Sequence, residues 1–264
     1  DRLTNIWVRF LSGDVFKTNG GGVNFHDLQF NVTSGPRTSG SFILLQNERC
    51  EAYDIYMDSG YIGIDIATGA YECEVHRVKG LSWSNAVGSR IVRGGADDAI
   101  IQTVNYTNST PVGPEYIVTA ETVNGSINRV KIGDISGRSS GDHVGVLSKS
   151  TYSANECVID GVRGRSGDRA VKILNVGSAG MNVVHINNVI AGQDMTCAVS
   201  VENTSTGGIS GVMIDEVTAN QVTGNGVEIL RNGSGSLSVV TLGQHDLRGN
   251  KGLVVGGTNI PISI

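Results

Sequence analysis

One apolar pattern recurs along almost the whole chain, and it limits the fold more than any other feature. It reads apolar-x-apolar-x-x-apolar, usually with Gly, Asn or Asp in the two-residue gap. The copies begin at Val23/Phe25/Leu28, Cys50/Ala52/Ile55, Cys73/Val75/Val78 and Ala99/Ile101/Val104. They continue at Val130/Ile132/Ile135, Cys157/Ile159/Val162, Val184/Ile186/Val189 and Val212/Ile214/Val217. A last copy starts at Val240/Leu242 and needs a two-residue insertion before Leu247. The middle residues fall 27, 23, 26, 31, 27, 27, 28 and 28 positions apart. A second marker, Val144/Val146, Val171/Ile173, Val199/Val201 and Val227/Ile229, keeps the same phase. Val254 is its next step, and the pair Ile117/Ile132 extends it upstream.

A repeat this short cannot bury its own apolar face, so successive copies must cover one another. Alternation with period 2 and Val/Ile enrichment say strand, and no segment carries a 3.6-residue stripe. Three short strands and their bends fit into ~27 residues at ~3.3 Å per residue. The expected fold is all-β: a parallel β-helix of nine to ten coils with three short strands per coil, roughly 45 Å long at ~4.8 Å per coil. Residues 1–264 read as one domain, with 1–20 an incomplete first coil and 257–264 a terminal strand. Ile260, Ile262 and Ile264 make that strand apolar on one face. The bends account for the glycine, 37 of 264 residues, roughly twice the usual ~7%. Sharp bends need left-handed backbone, which Gly, Asn and Asp tolerate best. The longer polar segments LSKSTYSANE, NVGSAGMN and NTSTGGIS are expected to build variable surface.

Composition removes several classes of function. Proline is scarce and glycine follows no triplet period, which excludes collagen. A net charge of -5 gives no reason to expect nucleic acid or an anionic membrane as partner. No apolar run approaches the ~20 residues of a membrane span. The start DRLTNIWVRF is neither a signal peptide nor a Met start, so the chain reads as a piece of something longer. Four cysteines without a CxxC pair, and five scattered histidines, favour neither a disulfide scaffold nor a zinc site. No cofactor and no metal is expected. Cys50, Cys73 and Cys157 share one inward position and read as small core residues, with Cys50 and Cys73 near enough for a thiol pair. Cys197 reads as an exposed bend residue. Triplets such as those at Asn31, Asn105 and Asn203 match a glycosylation acceptor only weakly.

The GGGVNFHDLQF opening and the IDGV and INNV turns resemble the right-handed, pectin-lyase-like β-helix family over about residues 20 to 256. That family holds pectate lyases, polygalacturonases, alginate-modifying enzymes and bacteriophage tailspikes. The resemblance implies a right-handed coil and binding, usually with cleavage, of an extended polysaccharide in a lateral groove. Asp97-Asp98, His143 and Arg169 follow the order of polygalacturonase elements, but the Asn-Thr-Asp element and the His-Gly step are absent. A calcium-binding carboxylate cluster of the pectate lyase kind is absent too. The closest likeness is to a tailspike, which implies a homotrimer with flanking domains, located in the virion or outside the cell.

Repeat phase places candidate residues in columns. With Ile117, Val144, Val171 and Val199 inward, Glu115 and Tyr116, then Asp142 and His143, then Arg169 and Lys172 are expected to face out on successive coils. Asp168 lies in the adjoining bend. Glycoside hydrolysis needs one carboxyl as acid and a second as base or nucleophile, and Glu115, Asp142 and Asp168 are the candidates. Arg169 and Lys172 would hold an acidic sugar, and Tyr116 or Trp83 would pack on a sugar ring. For β-elimination, His143 or Lys172 would be the base and Arg169 the carboxylate neutraliser. The same patch also reads as a solvated face whose charges pair for solubility. A second column sets Glu72, Asp98, Arg129 and Glu156 outside Glu74 and Lys131. There, Glu72 and Asp98, with Asp97 beside them, are alternative catalytic residues, and like-charge repulsion would raise one pKa. A ladder of alternating charges with Arg49 and Arg129 is the competing reading. Beyond hydrolase, the alternatives are a non-catalytic adhesin or fibre segment and a secreted lyase or epimerase.

Overall fold

A computed structural model of the chain describes residues 4–33, 37–83, 86–107, 113–257, 260 and 262–263. Ile264 therefore lies outside the described residues. Every strand pairing is parallel, no helix occurs among the described residues, and the chain forms a β-solenoid of about nine turns.

The triplet repeat is the register of the stack. Phe25, Ala52, Val75, Ile101, Ile132, Ile159, Ile186, Ile214 and Leu242 lie directly above one another on consecutive coils. All but the first are buried in the core. The third triplet position stacks likewise from Leu28 to Val217, and the next residue in that column is His245. The expected insertion before Leu247 does not exist. Leu247 pairs with Ala219, and a histidine occupies a place held elsewhere by Leu, Ile or Val.

Most coils turn through two left-handed residues. One precedes the triplet: Arg49, Glu72, Asp98, Arg129, Glu156 and Val183 all have φ between 52° and 56°. The other sits in the triplet gap, at Asp27, Asp54, Arg77, Thr103, Asp134, Gly161, Asn188 and Glu216. Side chains other than Gly cost roughly 1–2 kcal/mol in this conformation. The bends are therefore held by the strands that flank them, and in later coils two strands run straight through them, Ala154–Asn175 and Met181–Asn203.

A second face of the solenoid stacks Ser41–Leu45, Ile62–Ile66, Arg90–Gly94, Tyr116–Glu121 and Asp142–Ser148, then the last parts of the long strands. Its inward column is Ile43, Ile64, Val92, Val118, Val144, Val171, Val199, Val227 and Leu253. Val118, not Ile117, is thus the partner of Val144, and Val254 pairs with outward Glu228. Ile117 is nevertheless in the core. The chain enters this face through a bend, and two consecutive residues point inward there: Phe42-Ile43, Ile91-Val92, Ile117-Val118, Ala170-Val171 and Ala198-Val199 are all core pairs.

The polar segments between coils stack rather than diverge. The Ser178 N–H donates to Ser150 O at 2.7 Å, and the Ser205 hydroxyl donates to Gly177 O at 2.6 Å. A side chain at Gly177 would strike the Ser150 carbonyl, which fixes glycine there. Asn203 is buried, its amide donating to Gly207 O and Ser236 O, so it is no glycosylation acceptor. All four cysteines are buried free thiols. Cys197 is a buried strand residue, the register partner of Arg169, and not an exposed bend residue.

Candidate functional site

On the second face, the positions that alternate with the core carry most of the candidates. Arg90, Tyr116, Asp142 and Arg169 form one outward column, and Asp65, Arg93, Thr119, Gly145 and Lys172 form the next. Tyr116 is the direct register partner of Asp142. Its ring lies across Gly145, where any Cβ would strike it, and the Arg90 guanidinium stacks on it at 4.5 Å. This overlay leaves Tyr116 only 3% exposed, so it is a wall of the strip and not an open platform for a sugar.

The two main carboxyls lean in opposite directions along the solenoid. Glu115 turns toward the preceding coil and accepts from the Gly88 N–H at 2.5 Å and from Arg90 at 2.9 Å. Asp142 turns toward the following coil, with Arg169 at 3.5 Å and Lys172 at 3.9 Å. Burial pushes the Glu115 carboxyl up, but the Gly88 N–H and the Arg90 guanidinium outweigh it and hold the pKa below the usual carboxylate range. Asp142 is more deeply buried. Burial dominates there and raises its pKa, Arg169 and Lys172 oppose the rise, and nearby Asp168 adds to it. Asp168 itself is exposed. One coil away, Glu121 is 3% exposed and ties together Arg90, Arg93 and Lys149, while Arg93 also grips Asp65 with two bonds. Among the described residues, the Thr119 and Ser200 hydroxyls and the Nε atoms of Arg90 and Arg169 are buried on these same two columns without a partner.

Two expected substrate contacts are internal. His143 is the first residue of an inward pair, level with Ile117 and Ala170, and is fully buried. Its Nε2 meets Gly137 O at 3.1 Å, and burial drives its pKa down to about 4. It is thus neither a sugar contact nor a solvent-accessible base for elimination. Trp83 is also core. It is 2% exposed, packs edge-on against Phe42, and donates its indole N–H to Tyr61 O.

The alternative column sits on the triplet face, over a groove of about 800 Å³ that spans five coils from Arg49 to Glu156. Its charges pair coil to coil: Arg49 with Glu72 at 2.8 Å, and Arg129 with Asp98 through two bonds of 2.6 Å. The Asp98 pKa is lowered by its hydrogen bonds from Arg129, not raised by Glu72. The alternating ladder is therefore what forms. Asp97 has a separate duty. Its Oδ1 accepts from the backbone N–H and the side-chain amide of Asn128. Asn155 then donates to Asn128, Asn182 to Asn155, and Ser210 to Asn182, at 2.7–2.9 Å.

Comparison with protein-family models and with curated proteins finds no match.

Proposed function

We propose that this β-solenoid binds an extended bacterial surface polysaccharide on the outward columns of the second face and hydrolyses it with Asp142 and Glu115. The observation that carries this reading is the divergence of two neighbouring carboxyls: burial raises the pKa of Asp142, whereas the Gly88 N–H and Arg90 hold that of Glu115 down. Such a split supports the reading of an acid and a base of a hydrolase. Asp142 gives its proton to the glycosidic oxygen. Glu115 takes a proton from the water that attacks the anomeric carbon, and the C–O bond to the leaving sugar breaks. The carboxyls come from adjacent coils, ~4.8 Å apart at the backbone, and lean in opposite directions. That favours inversion over retention, which needs about 5–5.5 Å. Lys172 and Arg169 would hold an acidic substituent beside Asp142, and exposed Asp168 would accept from sugar hydroxyls. The wider reading, a trimeric phage tailspike, rests on the family resemblance.

The test is release of oligosaccharides from a panel of capsular and O-antigen polysaccharides. Asp142→Asn and Glu115→Gln should each lower the rate about 10²–10⁴-fold while leaving binding intact. The rate of the unaltered protein should fall as pH rises through the raised pKa of Asp142. A protein that binds these polymers and never shortens them would refute hydrolysis. It would favour a non-catalytic fibre or adhesin segment, in which the Glu115–Arg90 and Asp142–Arg169 pairs serve only the fold. A product with an unsaturated uronate band would instead indicate a lyase, with Lys172 the remaining base.

A further inference from the structure

Arginine has one habitual use in this solenoid. Arg49, Arg77, Arg90, Arg93, Arg129 and Arg169 each pair with an acid on a neighbouring coil. Arg138, Arg163 and Arg165 depart from it. All three are exposed, and among the described residues none is within ion-pair distance of a carboxylate. Ser136 is the register partner of Arg163, and Gly137 that of Gly164, and Arg138 and Arg165 are the next residues on these adjacent coils. Like charges on adjacent coils repel each other, and an anion bound beside both would reduce that repulsion. Both line a cleft of about 430 Å³. Its other polar walls are Asn105, Thr107, Ser136 and Asp194. The Asn105 amide donates to the Ser136 hydroxyl, and the Thr107 hydroxyl donates to Asn105, so these groups are already oriented.

We propose that this cleft is a separate binding site for the anionic groups of an acidic polysaccharide. The planar fork of arginine matches carboxylate and sulfate oxygens with two bonds each. The hydroxyls, the amide and Asp194 supply the donors and acceptors that neutral sugar hydroxyls require. An acidic protein whose cleft has no open aromatic surface is poorly suited to nucleic acid. The cleft lies one bend upstream of Asp142 and Arg169, outside the carboxyl strip, and its binding does not depend on hydrolysis there.

The experiment measures affinity of the whole chain for polygalacturonate, dextran sulfate and neutral dextran, at low and raised salt. The acidic polymers should bind, with affinity falling as salt rises, and neutral dextran should not. Polygalacturonate alone would identify carboxylate as the ligand group, and dextran sulfate alone would identify sulfate. The double variant Arg138→Gln/Arg165→Gln should lose about tenfold or more in affinity with an unchanged melting temperature, because neither side chain supports the fold. Arg77→Gln, which removes an exposed arginine from the other face, should bind both polymers like the unaltered protein. Binding of neither acidic polymer, a double variant that retains full affinity, or a DNA duplex held as tightly as both polymers would overturn the proposal.

Discussion

Two sets of charges run along this solenoid with the same coil spacing, and they are physically unlike. On the triplet face, Arg49–Glu72 and Asp98–Arg129 stand in solvent, at bends whose left-handed backbone swings them away from the core. Pairing shifts the pKa values of Arg49, Asp98 and Arg129 only toward the charged form each already favours. On the second face, Arg90, Glu121 and Asp142 are almost wholly covered. There desolvation competes with pairing, and the outcome differs from residue to residue: Arg90, Lys149 and Arg93 outweigh burial and lower the Glu121 pKa, whereas burial outweighs Arg169 and Lys172 and raises that of Asp142. Charge pattern alone therefore does not locate chemistry in a β-solenoid. Chemistry requires the place where burial and pairing come close to balance.

The contrast can be broken most forcefully at Glu121. Glu121→Ala leaves buried Arg90 with Glu115 alone and Arg93 with Asp65 alone, deprives Lys149 of its partner, and should cost about 3–5 kcal/mol in chemical denaturation. A loss near zero would mean that the second face is as solvated as the first. His143 should give the next largest effect. Its neutral form is the one the fold accepts, so its contribution is present above the ordinary histidine pKa of 6.5 and is lost as pH falls toward about 4. That loss is on the order of 3 kcal/mol. His143→Gln should flatten the stability profile across this window. The smallest effect is expected at the exposed ladder. Arg129→Gln should leave the melting temperature unchanged while returning the Asp98 pKa upward toward its ordinary value, measurable by carboxyl NMR titration.

Much of the fold was legible because the triplet is a direct record of stacking. Ile132, Ile159, Ile186 and Ile214 could share a phase only by lying above one another. The second face was harder to read. Strict alternation made His143 an outward residue, but at the bend two neighbours turn inward together. The signal was present as recurring apolar doublets, Ile91-Val92, Ile117-Val118 and Ala198-Val199. His143-Val144 occupies the same place without looking apolar. For the same reason Ile117 was matched to Val144 one residue out of step. Tyr116 was placed on the correct column, but its overlay on Gly145 and beneath Arg90 depends on contacts between coils that no single coil encodes. Arg90, Arg93 and Glu121 were missed because their spacing shows nothing about burial. The unpaired Arg138 and Arg165 were missed because a lack of partners becomes visible only in three dimensions.

The line of amides from Asp97 to Ser210 has a direction. Every side chain in it donates toward the N-terminal end, and the first member is a carboxylate, which can only receive. Coils this similar could mate with the wrong neighbour, displaced by a whole repeat, at little cost to their aliphatic contacts. A one-way row that begins with a residue unable to donate distinguishes its first position from all later ones. Asp97 thus works as a start mark from which the molecule can count its coils.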